Sequence, residues 1–267
     1  MARGRAAVTA LAVIASLFGV ASASGSPPHA QPPTTPRPSP SPALSGEPAA
    51  PPTPPLASPV RPPGPQFGIS GAWRTTGSTS VALTFDDGPD PTNTLAMLDL
   101  LKQYDVKATF CVVGFRARDH PDVLRRIVAD GHSVCCHSWQ HLTDLAQRSW
   151  DYQNWDFRSS IEAIHTAVPG VPIKYFRAPG GNYTPALVAL AQSYGMSSIY
   201  WDVDPRDWDH TDGYGDGHIN RVIGAVQYQV RQGSIVLSHD NVQPNTVEAY
   251  RVLLPWLLAR YTLIPLT

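Results

Sequence analysis

The sequence predicts an α/β domain organised around a parallel sheet, and two features carry that prediction. Between residues 80 and 266, short apolar runs alternate with amphipathic stretches in a repeated strand, helix, strand order. That order builds parallel sheets, either open or closed into a barrel. The polar residues least expected by chance also follow the strand-like runs directly. In parallel α/β folds chemistry gathers at the C-terminal ends of strands, so one rim of the sheet is the place to look for function.

The elements follow in chain order. Residues 1–24 carry Arg3 and Arg5, then an apolar run from Ala6 to about Ala21, then "ASA". This is the pattern of a secretory signal peptide cleaved after Ala23, and the run is short for a bilayer span. Residues 25–66 hold 17 of the 28 prolines, interspersed with Ser, Thr and Ala. A segment of that composition has too little apolar surface for a core and reads as an extended, disordered linker. Residues 67–267 are sufficient for one domain. Within them, 80–85, 107–113, 132–136, 173–177, 197–201, 234–238 and 261–266 read as strands. Stretches 94–104, 121–130, 150–167, 184–194, 218–231 and 244–260 read as helices. Val247, Tyr250, Leu254, Leu257 and Leu258 mark an apolar stripe on the last of these.

Composition narrows the function classes. A net charge of −1 and the lack of a basic stripe argue against nucleic acid as a partner. No segment after the leader is apolar enough for stable membrane insertion. Cys111, Cys135 and Cys136 are an odd number, leaving one thiol over. In an oxidising exterior Cys111 would pair with Cys135 or Cys136, on the neighbouring strand.

Five strand ends carry polar clusters. "FDDGP" (85–89) follows the first strand, and "RAPGG" (177–181) the fourth. "DVDPRDW" (202–208) follows the fifth and "SHD" (238–240) the sixth. After the third, "HSVCCHSWQH" (132–141) places His137 and His141 four apart, a spacing that puts both on one face of a helical turn. A parallel sheet would bring all five clusters to one rim.

In order and content these motifs resemble the polysaccharide deacetylase family, the NodB-homology domains of carbohydrate esterase family 4. The resemblance covers residues 78–267. It implies a distorted (β/α) barrel of about seven parallel strands, with Asp87, His137 and His141 binding a divalent metal. Zn²⁺ is the leading ion, with Co²⁺ an alternative, and a three-ligand site leaves positions open for chemistry. It also implies removal of acetyl groups from polymeric sugars, most often the N-acetyl group of N-acetylglucosamine. Asp86 then matches the general base, Arg177 the residue that orients it, and His239 the general acid with Asp207 as its charge partner. Gly180 matches the position whose backbone N–H stabilises the oxyanion, although the commoner motif has Tyr there. Leu237 and Trp208 match the acetyl methyl pocket, and Tyr183 is close enough in sequence to replace the missing aromatic wall.

The expectation is a secreted, monomeric deacetylase of the extracellular space or cell wall, acting on peptidoglycan, chitin or chitooligosaccharide. The rivals are an O-acetyl esterase on xylan and an inactive carbohydrate-binding barrel. The loop "DHTDGYGDGH" (209–218), with His210 and His218, reads as a solvated loop near the groove, since its acidic spacing does not fit an EF-hand.

Overall fold

A computed structural model describes Gly64 and residues 66–267. The leader at 1–24 and the Pro-rich segment apart from Gly64 and Gln66 lie outside the described residues. The remainder is the expected parallel sheet. Its strands are β1 (Val81–Asp86), β2 (Thr109–Val112), β3 (Ser133–Cys136), β4 (Ile173–Phe176), β5 (Ser197–Ser198), β6 (Ile235–His239) and β7 (Leu263–Ile264). The order is β5-β4-β3-β2-β1-β6, with β7 also paired to β1, and every ladder is parallel.

The sheet curls into a distorted half-barrel. Beyond β5 the chain leaves regular pairing, yet Ile199 N–H donates to Phe176 C=O at 2.9 Å. Four residues later Val203 bridges Val236 on β6. The irregular segment thus spans the gap between β4 and β6. A strand predicted over 197–201 is therefore two residues of ladder followed by single bridges.

Helices α1 (Asn93–Gln103), α2 (Gly114–Asp119), α3 (Pro121–Ala129), α4 (Trp150–Ala167), α5 (Pro185–Ser193), α6 (Asp216–Gln229) and α7 (Pro244–Leu258) alternate with the strands. Their starts use ordinary capping chemistry. Ser149 accepts from Tyr152 N–H, Thr184 accepts from Leu187 N–H, and Pro185 and Pro244 open their helices. Helix α2, six residues long, is absent from the apolar pattern because it is too short to show a period. Among the described residues no helix is long and apolar enough to cross a membrane.

Strand parity sorts the side chains. Successive residues of a strand face opposite ways. On β1, Val81, Leu83 and Phe85 pack outward in the main core with Leu98, Phe110 and Leu254. Ala82 turns inward to a second cluster with Cys111, Cys135, Tyr175, Ile199 and Ile235. Both faces are covered, and all six β1 residues are buried, as parallel strands require.

The same parity decides the disulfide. Cys111 and Cys135 are register partners on β2 and β3, both inside the barrel, and they are joined. Cys136 faces the outer cluster with Phe157 and Phe176 and stays a buried thiol, its pKa pushed up to about 12 by burial. Replacing Cys111 and Cys135 together by Ala should cost about 3 kcal/mol from loop entropy and lower the melting temperature by roughly 5–10 °C. Cys136→Ser should leave the cross-link intact in a thiol titration. Equal melting temperatures with and without the disulfide would show that it contributes nothing to stability.

Candidate active site

The last residues of β1 and β6, and the residues just past β3 and β4, assemble the site by strand parity. Asp86 has the inward parity of Ala82 and Thr84, and His137 that of Cys135. Arg177 has the parity of Tyr175, and His239 that of Ile235 and Leu237. All four therefore point into the barrel mouth.

At its centre Asp86 is buried against a fully buried Arg177. Arg177 Nη1 donates to Asp86 Oδ1 at 2.7 Å and to Thr84 Oγ1 at 2.9 Å, while Nη2 donates to Tyr200 C=O at 3.0 Å. Desolvating two charges is expensive, and several charge-assisted bonds are needed to offset it. The result is a carboxylate fixed in direction.

Asp87 immediately leaves the strand. Its φ is +77°, a left-handed conformation that turns its carboxylate away from that of Asp86. Asp240 secures this turn from both sides. Its N–H donates to Asp86 C=O at 3.1 Å, and its Oδ1 accepts Gly88 N–H at 3.1 Å. Its other oxygen accepts from Thr94 Oγ1. A Cβ on residue 88 would lie 2.5 Å from that carboxylate, so only glycine fits.

Asp87 Oδ1 meets two imidazoles, His137 Nε2 at 3.3 Å and His141 Nε2 at 3.1 Å. This oxygen is buried and has no hydrogen-bond partner. The three donor atoms lie within 4.8 Å of one another, and among the described residues no other such group occurs. His137 Nδ1 donates to Arg177 C=O at 2.7 Å, which leaves the lone pair on Nε2. One carboxylate, two imidazoles and an outer hydrogen bond are a donor set that fits a divalent cation. The two histidines do not share a helical turn, contrary to the reading of their spacing. They sit on a loop with positive φ at Ser138 and His141, and Ser138 Oγ accepts His141 N–H at 2.9 Å.

Charge at the site is balanced by these contacts. Burial pushes the Asp87 pKa up, but His137 and His141 outweigh it and hold the carboxyl well below its ordinary range. Burial pushes His137 down, and Asp86 and Asp87 together raise it overall.

Opposite stands His239. Its Nδ1 faces Asp207 Oδ1 at 2.8 Å, and its backbone N–H donates to Asp207 Oδ2 at 2.7 Å. Asp207 is fully buried and also accepts from Thr246 Oγ1 at 2.8 Å, in the first turn of α7. Burial lowers the His239 pKa, but the Asp207 charge and hydrogen bond carry it up to about 10.

Residues 209–218 are not a solvated loop throughout. His218 is buried on α6, with Nε2 at 3.0 Å from Asp207 C=O and Nδ1 at 2.9 Å from Asp212 Oδ1. Arg221 donates to the carbonyls of Pro205 and Asp209 at 3.1 and 2.7 Å. Together they anchor the segment that carries Asp207.

A cavity of about 420 Å³ opens onto Asp86, Asp87, His137, His141 and His239, with Leu237, Trp208 and Gly180 in its walls. Gly180 has φ +61°, which suits its lack of a side chain. Tyr183 does not line this cavity, so the idea that it replaces an aromatic wall is corrected. Its ring is buried beside Phe176, and its hydroxyl is taken up by Ala178 N–H and the carbonyls of Phe176 and Ile199. Thr143 and Trp201 line the cavity instead. Along with Asp240, these residues escaped the sequence reading. Asp240 stood in the quoted "SHD", and nothing in the sequence linked it to Gly88.

Residues 74–199 match the polysaccharide deacetylase family. A chitooligosaccharide deacetylase of Sinorhizobium fredii is 38% identical over 172 residues, covering 64% of this chain and 76% of the relative. The chain belongs to the polysaccharide deacetylase family. A second relative of this deacetylase family, the peptidoglycan-N-acetylglucosamine deacetylase of Bacillus cereus, is 33% identical over 179 residues. That match covers 66% of this chain and 80% of the relative. A crystal structure of a peptidoglycan N-acetylglucosamine deacetylase in complex with 4-naphthalen-1-yl-N-oxidanyl-benzamide shares the fold at TM-score 0.65 and 28% identity. The similarity covers 71% of this chain and 86% of that one.

The His239–Asp207 pair predicts a pH dependence of definite sign. The pKa of His239 is raised, so the pair stabilises the fold fully below about 6.5. This contribution is lost as pH rises through about 10. Asp207→Asn should lower the His239 pKa, followed by NMR, by roughly 1–3 pH units and flatten stability over that window. An unmoved His239 titration would show that Asp207 is not its charge partner.

Proposed function

We propose that this protein is an exported, metal-dependent deacetylase that removes N-acetyl groups from polymers containing N-acetylglucosamine. One observation carries the reading: the donors of Asp87, His137 and His141 converge beside an Asp86 fixed by Arg177, with an imidazole paired to a carboxylate across the cavity. Zn²⁺ is the ion this donor set favours, and Co²⁺ would serve. When bound, such an ion supplies Lewis-acid polarisation and makes water more acidic.

The chain's own residues supply the remaining steps. Asp86 takes the proton of the attacking water, held on line by Arg177. Gly180 N–H donates to the oxyanion as the acetyl carbonyl becomes tetrahedral. His239, protonated through its pairing with Asp207, passes a proton to the departing amine. Leu237 and Trp208 receive the methyl group. The named activities of the relatives, on chitooligosaccharide and peptidoglycan, support an amino-sugar polymer as substrate.

Export rests on residues 1–24, with a mature N-terminus near Ser24. Residues 25–66 then act as a spacer holding residues 67–267, a monomeric catalytic domain, away from a surface such as the cell wall.

Acetate release from N-acetylglucosamine oligomers should be abolished by chelation and restored by Zn²⁺ or Co²⁺. His141→Ala should lower metal content, and His165→Ala should not. Full turnover by metal-free protein contradicts the reading, and release from acetylated xylan alone would reassign the substrate.

The base and acid separate by leaving group. Asp86→Asn should keep its metal and lose roughly 10²–10⁴-fold in rate on every substrate. His239→Ala should be severe on an amide, whose amine must be protonated, and mild on an activated aryl acetate. Equal losses on both, with metal retained, would remove His239 from the acid role.

A further inference from the structure

Asp156, on α4, is a buried acid that the proposed reaction does not use. It is fully buried, yet only one of its carboxylate oxygens has a partner. Oδ1 accepts Trp139 N–H at 2.9 Å, while Oδ2 meets no donor among the described residues. Burial pushes its pKa up to about 7, and the bond from Trp139 N–H only partly offsets this. A carboxyl group left half-satisfied in the interior costs stability. What it touches gives the reason for keeping it there.

Trp139 lies midway between His137 and His141, and those two histidines are held differently. His137 continues β3: its N–H donates to Val112 C=O at 2.9 Å, and its ring to Arg177 C=O. His141 comes only after a loop with positive φ at Ser138 and again at His141 itself. Residues other than glycine rarely adopt that conformation and keep it only where their surroundings enforce it.

The neighbouring helices supply that enforcement. In the first turn of α2, Gly114 N–H donates to Ser138 C=O at 2.9 Å and Phe115 N–H to Trp139 C=O at 3.1 Å. From α4, Asp156 accepts Trp139 N–H. A Cβ on Gly114 would come within 2.7 Å of the Trp139 ring and 2.8 Å of Ser160 Cα, so α2, the loop and α4 are in direct contact.

We infer that Asp156 is a positioning residue for the metal ligands: by accepting Trp139 N–H it fixes His141 relative to His137. The inference rests on the proposed metal site and adds to it a support from α4. The support acts through an acceptor oxygen and not through charge, because Oδ2 has no donor to attract. Asparagine can therefore replace Asp156, and a leucine of similar size cannot.

The test measures Zn²⁺ affinity of the full chain by competition with a chromophoric chelator, and amide exchange in the metal-free protein. Asp156→Leu should weaken Zn²⁺ binding roughly tenfold or more. It should also change the visible spectrum of the Co²⁺-loaded protein while the far-UV circular dichroism stays that of the wild type. Asp156→Asn should bind Zn²⁺ as the wild type does. The Trp139 amide should exchange slowly in the wild type and in Asp156→Asn, and roughly tenfold faster in Asp156→Leu.

Wild-type affinity in Asp156→Leu would overturn the inference. So would equal losses in Asp156→Asn and Asp156→Leu, which would assign the effect to charge. If Asp156→Leu does not fold, the other two proteins decide: slow Trp139 exchange in both supports the hold, and exchange at the rate of an exposed amide refutes it. A wild type that binds neither Zn²⁺ nor Co²⁺ would instead overturn the metal site on which the inference stands.

Discussion

The buried contact between Arg177 and Asp86 is the interaction on which the rest of the site depends. Through its side chain Arg177 reaches Thr84 and Asp86 on β1 and the carbonyl of Tyr200 beyond β5. Through its own carbonyl it sets the orientation of His137 beyond β3. One residue at the end of β4 therefore ties together three other strand ends. Its guanidinium is planar and permanently charged, and a lysine could not make the same set of bonds. The desolvation cost is tolerable because the donors are spread over three acceptors.

That fixed centre lets two consecutive carboxylates do different work. Asp86 stays in the strand and faces Arg177, while Asp87 lies one residue later in a left-handed turn and faces two histidines. Strand geometry alone would send neighbouring side chains to opposite faces of the sheet, and Asp87 would leave the mouth. The turn brings it back. Asp240 holds that turn by grasping Asp86 C=O and Gly88 N–H, so the far end of β6 contributes both His239 and the support of a β1 residue. The first and sixth strands are neighbours in the sheet, and this adjacency places Asp86 and His239 about one cavity.

Much of this was legible in the sequence because parallel α/β architecture is periodic and positional. Strand and helix patterns placed most elements to within a few residues, and the rule of strand ends located the rim. What escaped has physical causes. Helix α2 is shorter than the period needed to see it. The His137–His141 spacing has a helical meaning in isolation, and a loop with positive φ at Ser138 and His141, in which Ser138 Oγ accepts His141 N–H, overrides it. Tyr183 sits near Gly180 in sequence, but the backbone groups it satisfies lie on β4 and beyond β5, which pull it inward. Asp240 acts through partners distant in sequence, and no local pattern reveals such pairings. The choice of Cys135 over Cys136 follows from strand parity once register is known.

The central claim is that Asp87, His137 and His141 hold one divalent cation beside Asp86. Anomalous diffraction at the zinc edge from crystals of the active, Zn²⁺-loaded protein addresses it most directly. The account predicts a single strong peak bonded to an Asp87 carboxylate oxygen and to Nε2 of both histidines, at about 2.0–2.2 Å. An active protein whose only peak lies elsewhere, or which shows none, would contradict it.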